Sequence, residues 1–218
     1  MHTHLEKDLD NLKESMYKML DLSVDALKES IESLRTQDID RAKQVIKNDK
    51  KIDKFENAID EECIKILVTR QPAATDARLI HSILKINTDI ERIADLSAKI
   101  AKQTVKIGKQ KLLKPLVDIP RMSEICIQML KDVLESIVTM NAELAEEVIL
   151  RDDILDDINT QLYRELITFI NENPSILSQA LCLIEVSKSL ERIGDHIKNI
   201  AERSIYYIEG KNIRHKGR

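Results

Sequence analysis

Apolar residues recur every three to four positions through nearly the whole of this 218-residue chain. That spacing places them on one face of an α-helix. The clearest stripe runs Ile83, Ile86, Ile90, Ile93, Ile100, Ile107, and a second runs Val186, Leu190, Ile193, Ile197, Ile200. Punctuation falls at Pro72 in TRQPAATD, at Gly108, at Pro115 and Pro120 in KPLVDIP, at Pro174 in NENPSIL and at Gly210. The stretch before Pro72 is too long for one globular helix. It breaks near TQDID at 36–40, where turn and N-cap side chains are available. The pattern predicts an all-α chain of six helices over 3–35, 38–70, 74–108, 117–140, 142–172 and 175–209.

The two halves of the pattern are copies of one another. Val45-Ile46 recurs as Val148-Ile149, 103 positions on, and the same offset carries Asp49 to Asp152 and Asp53 to Asp156. Pro72 matches Pro174 at an offset of 102, and Glu91-Arg92-Ile93-Ala94-Asp95 matches Glu191-Arg192-Ile193-Gly194-Asp195 at 100. The shrinking offset implies a shorter connection before the last helix. Short connections make sequential helices antiparallel neighbours. The fold expected is therefore two similar antiparallel three-helix bundles related by an internal repeat. The first covers 1–108, a linker covers 109–119, the second covers 120–210, and a basic tail covers 211–218.

Composition agrees with helices. Four Gly, four Pro and no Trp in a chain that is 33% charged leave little material for sheets. Acidic and basic residues are interspersed at a net charge of −4, with no aromatic-basic stripe suited to nucleic acid. Cys63, Cys126 and Cys182 stand far apart in apolar helical surroundings, as reduced core residues of a reducing compartment would. No apolar signal region opens the chain, and no apolar run reaches the ~18 residues of a membrane span. A soluble cytoplasmic protein is expected.

The doubled quintet carries the candidate chemistry. Residues i and i+4 of a helix lie one above the other, so Glu91 neighbours Asp95 and Glu191 neighbours Asp195, while Ile93 and Ile193 face the core. Carboxylates so placed repel by a few tenths of a kcal/mol. The second helix of each half repeats the arrangement in Asp49/Asp53 and Asp152/Asp156. Packed antiparallel, each half would bring four carboxylates together. Hard oxygen donors of this kind suit Mg²⁺, Mn²⁺ or oxygen-bridged iron, and a cation would turn repulsion into attraction. Solvated helix faces are the plain alternative for any one pair. Asp21–Asp25 and Glu143–Glu147 show that such spacing also arises without a partner set. Four pairs at corresponding places in two repeats favour the cation.

Other chemistry is poorly supplied. His196 follows Asp195 but has Leu96 as its counterpart, and His81 has Leu181, so the repeat endorses neither as a ligand. There is no Glu-x-x-His of a ferritin-like di-iron bundle. There is also no phosphate-cradling glycine loop, nucleophile elbow or Cys/His zinc pattern. With no nucleophile–base pair in view, the chain is not expected to be an enzyme. Ala94 and Gly194, small residues in mid-helix, leave room for a packed helix or an ion cluster.

The doubled three-helix unit, the E-R-I-[AG]-D quintets, the aligned D-x-x-x-D pairs, LERIGDHIKNIAE and AIDEECIKIL at 58–67 together resemble the PhoU family of bacterial phosphate-uptake regulators. The resemblance spans nearly the whole chain. It implies a peripheral cytoplasmic protein of two three-helix bundles, commonly a homodimer, with multinuclear metal clusters on its acid-x-x-x-acid motifs. Iron is the metal most implied, with Mn, Mg, Zn or Ni as others. By motif the ligands here would be Asp49, Asp53, Glu91, Asp95, Asp152, Asp156, Glu191 and Asp195. The resemblance further implies repression of the phosphate-starvation response and restraint of phosphate uptake. These would act through the PstSCAB transporter, by its ATPase PstB, and through the sensor kinase PhoR. A metal-storage protein, a metal-dependent enzyme and a purely structural helical adaptor are the competing readings.

Overall fold

The computed structural model describes residues 4–211. Its helices are α1 (His4–Thr36), α2 (Ile39–Arg70), α3 (Ala74–Ile107), α4 (Asp118–Thr139), α5 (Ala142–Glu172) and α6 (Leu177–Glu209), with a 3₁₀ turn at Pro174–Ile176. Each end falls within two residues of the one read from the apolar spacing. Among the described residues every regular element is helical. His2, the expected helix start at residue 3 and the tail beyond Lys211 lie outside the described residues.

The junctions repeat as faithfully as the helices. Between α1 and α2, Gln37 is left-handed at φ 52° and Asp38 caps α2, accepting from the backbone N–H of Asp40 and Arg41. Between α4 and α5, Met140 is left-handed at φ 55° and Asn141 caps α5, accepting from the N–H of Leu144. A left-handed residue closes one helix and a side-chain oxygen opens the next, so each turn satisfies the backbone groups both helix ends leave free. Before the third helices the copies differ. Gln71–Ala73 separate α2 from α3, whereas Asn173 alone precedes the 3₁₀ turn that leads into α6. Counted to the 3₁₀ turn the second connection is two residues shorter, which accounts for the change of offset from 102 to 100; counted to α6 itself it is one residue longer.

Each half runs up, down and up. Arg41–Glu29 and Arg70–Asp8 fix α1 antiparallel to α2, and Asn87 of α3 reaches back to Asp60 of α2. In the second half Arg151 pairs with the buried Asp132 across α4–α5, and Ser187 bonds Asn159 across α5–α6. A further echo lies inside the bundles. Ser23 Oγ donates to the Ile90 carbonyl at 3.4 Å, and Cys126 Sγ, its counterpart, donates to the Leu190 carbonyl at 3.6 Å. All three cysteines are buried and unpaired, as their apolar surroundings suggested.

The halves share a core. α3 and α6 lie antiparallel along their length, and α1 meets α4. Ile86, Ile90, Ile93, Leu190, Ile193 and Ile197 belong to the same buried cluster. Burying each such side chain contributes roughly 1.5–3 kcal/mol, so the seam between repeats is as apolar as either bundle. The connection 108–117 is held down as well. Leu113 N–H donates to Gln179 Oε1 at 2.6 Å, and Lys114 pairs with Asp118 at 3.2 Å.

Candidate metal centres

The α2–α3 and α5–α6 pairings decide where the acidic residues go. Ile93 and Ile193 are fully buried, which turns residues 91 and 95, and 191 and 195, toward the flank of their helices. The antiparallel partner then presents 49 and 53, or 152 and 156, along the same flank. The structure thus gathers the predicted residues into two sets of four, one per half.

In the first set, burial and the charges of Asp95 and Asp53 push the Asp49 carboxyl up to about 6. Burial, followed by Asp95, pushes Glu91 up to about 7 against the partial relief of Arg92. The charges of Asp53 and Asp95 thus act on both Asp49 and Glu91. Glu56, one turn beyond Asp53, joins them. Its carboxyl is raised by burial, by Asp60 and, more weakly, by Asp53 and Asp95. The i,i+4 pairs did not single it out; the signal was its place three residues after Asp53 on the same helical face. Asn87 lies one turn before Glu91 and donates to Asp60 at 2.8 Å and to the Glu56 carbonyl at 2.9 Å. Its own Oδ1 is buried without a hydrogen-bond partner.

The second set is built differently. Asp152 is only 2% exposed, although its counterpart Asp49 is half-buried. Oδ2 of Asp152 accepts from Lys198 at 2.8 Å, while Oδ1 has no hydrogen-bond partner. Gly194 explains the approach. A Cβ there would stand 2.9 Å from Asp152 Oδ1 and overlap Leu155 Cδ1, so the missing side chain admits both the α5 leucine and the carboxylate. Burial raises Asp156, Glu191 and Asp195, each reinforced by other members of the set. Lys198 offsets part of this for Asp195 and is itself raised, chiefly by its bond to Asp152. The repeat gave no sign of that lysine, because its counterpart is Ala98.

Among the described residues no three His, Cys, Asp or Glu side chains meet at one point as a finished ion cage. The two sets are nevertheless suited to hard cations. Their donors are carboxylate oxygens under mutual repulsion, and the second set contains a buried oxygen, Asp152 Oδ1, that no donor among the described residues satisfies. Unsatisfied buried acceptors cost about 1–3 kcal/mol, and a bound cation would relieve them. His196 takes another role: its Nδ1 contacts Asp89 Oδ1 at 2.9 Å across the α3–α6 seam. His81 stands edge-on to Tyr206. Among the described residues no helix is long and apolar enough to cross a membrane.

Comparison with known proteins agrees with this doubled architecture. The family profile described as "PhoU domain" matches residues 16–104 and again 119–204. A phosphate-specific transport system accessory protein PhoU homolog of Aquifex aeolicus is 38% identical over 212 residues, covering 97% of this chain and 96% of that protein. A homolog of the same description from Pseudomonas putida is 39% identical over 175 residues, 80% of this chain and 68% of that one. The crystal structure of PhoU from Pseudomonas aeruginosa superposes with a TM-score of 0.91 at 33% identity, covering 95% of this chain and all (100%) of that one.

Proposed function

The chain belongs to the PhoU family, and on that premise we propose that it is an accessory regulator of a phosphate-specific transport system. It restrains phosphate uptake and the phosphate-starvation response. It does so as a cytoplasmic binding protein rather than an enzyme, engaging the transporter's ATPase, PstB, and the sensor kinase PhoR, and reaching the membrane through those partners. Two copies act as a homodimer. Regulation by binding needs only that phosphate status changes the relative affinity of two complexes.

In this reading the eight carboxylates hold metal ions, iron foremost, with Asp49, Asp53, Glu91 and Asp95 serving one site and Asp152, Asp156, Glu191 and Asp195 the other. The ions supply positive charge that draws the carboxylates together and stiffens the α2–α3 and α5–α6 pairs. The observation that carries the metal reading is Asp152 Oδ1, a buried acceptor without a donor beside the Gly194 gap. Bulk iron storage is disfavoured by the size of the sets, four carboxylates each. Pull-down of PstB and PhoR from the host by the tagged chain tests the regulatory reading, and deletion of the gene should raise phosphate-regulon expression at high phosphate. Unchanged expression together with no capture of either partner rejects it.

A further inference from the structure

Where α3 and α6 cross, the repeat brings its own two arginines, Arg92 and Arg192, to the same groove. The groove encloses about 240 Å³ and is also lined by Lys99, Lys102, His196 and Asp95. Two arginines and two lysines therefore face one carboxylate, on a chain whose net charge is −4. The repeat does not require the lysines, since positions 199 and 202 are Asn and Glu.

The existing partners do not use up these cations. Arg92 leans on Glu91 at 3.3 Å and Asp95 at 3.5 Å, both loose contacts for charged groups. Lys99 pairs with Glu185 at 2.9 Å. Arg192 and Lys102 are exposed, and their acidic neighbours, Glu191 and Asp195 for the one and Asp49 for the other, act through charge. Two cross-seam contacts lie along the groove, Lys99–Glu185 and His196–Asp89, with Lys102 one turn past Lys99. They lie ten residues apart on α3, about 15 Å at the helical rise. That length is short for a nucleic-acid strand. It fits a small anion with several oxygens, and a guanidinium fork matches a phosphoryl group two bonds at a time.

We infer that the α3–α6 groove is a binding site for a small phosphoryl anion, held by Arg92, Arg192 and Lys102. Free phosphate and a phospholipid headgroup share that chemistry, and the two arms of the test below distinguish them. The cations do neighbour the acidic sets, Arg92 through Glu91 and Asp95, Arg192 through Glu191 and Asp195 and Lys102 through Asp49, so the two readings are separated by testing phosphate on metal-free protein.

The test is calorimetric titration of inorganic phosphate into the full chain after chelator treatment, so that no protein-bound metal supplies the signal. Saturable binding of one phosphate per chain is expected. Arg192→Gln and Lys102→Gln should each weaken it about tenfold, the worth of one charge-assisted hydrogen bond. Lys131→Gln, on the exposed face of α4, should leave it unchanged. Circular dichroism checks that each variant folds. A second arm measures co-sedimentation with phosphatidylglycerol and phosphatidylcholine vesicles. Absence of saturable phosphate binding, equal binding by Arg192→Gln, or binding to anionic vesicles without binding to free phosphate would each overturn the inference.

Discussion

Replacing Glu91 by Gln should stabilise the metal-free protein at pH 8 and do little at pH 5. Glu91 is 14% exposed at its side chain, and its carboxyl is pushed up to about 7 from the ordinary 4.5 by burial and by Asp95. Between those two values the folded chain keeps a proton that the unfolded chain has lost. The unfolded state then binds fewer protons, so stability falls as pH rises through this window and the full penalty is present above pH 7. The gap corresponds to about 3 kcal/mol at ~1.4 kcal/mol per pH unit. Solvent reaches part of the site and screens it, which halves the figure to roughly 1.5 kcal/mol. Glutamine keeps the shape and removes the charge. Urea unfolding of chelator-treated protein should therefore show Glu91→Gln more stable by about that amount at pH 8, with about a quarter of the gain left at pH 5. A variant that is less stable at pH 8, or equally shifted at both values, would show that Glu91 is not held against like charges.

Three further outcomes follow from the same geometry. Gly194→Ala gains about 1 kcal/mol of helix propensity but meets Leu155 and Asp152; overpacking at ~1–3 kcal/mol should leave a net fall in Tm of a few degrees, and a rise would contradict the close approach. Ala94→Gly in the other half should simply lose about 1 kcal/mol in the same melt. Lys198→Met strips Asp152 of the one side-chain hydrogen-bond donor it has among the described residues; thermal unfolding should show a loss of about 1–2 kcal/mol in chelator, recovered when Mn²⁺ is added, and no loss would mean the pair is incidental.

The helices were legible because their apolar spacing is long and their breaks carry turn chemistry. Asp38 could be read as a cap from TQDID alone, and Asn141 stands at the corresponding place. The facing of Ile93 and the convergence of Glu91 with Asp95 follow from helical geometry. Other features depend on how deeply a neighbouring helix seats. Asp49 and Asp152 are identical in sequence terms, yet Asp152 is buried and Asp49 only half-buried; at Gly194 the missing side chain leaves room for Leu155 and Asp152. Lys198 was invisible to a repeat argument, since its counterpart Ala98 lies in the core. Glu56 stood one helical turn after Asp53 but outside the i,i+4 pairs, whereas the Arg92–Arg192 groove arises from the α3–α6 pairing, which spacing along one helix does not encode.

The account rests on two acidic sets that each hold cations. The most direct measurement is elemental analysis with equilibrium dialysis against Mn²⁺ or Fe²⁺, made on the wild type, on a chain with Asp49, Asp53, Glu91 and Asp95 changed to amides, and on one with Asp152, Asp156, Glu191 and Asp195 so changed. Each variant should lose only the ions of its own half, and the chain with all eight changed should bind none. Wild-type protein that binds no more metal than that eightfold variant would contradict the claim.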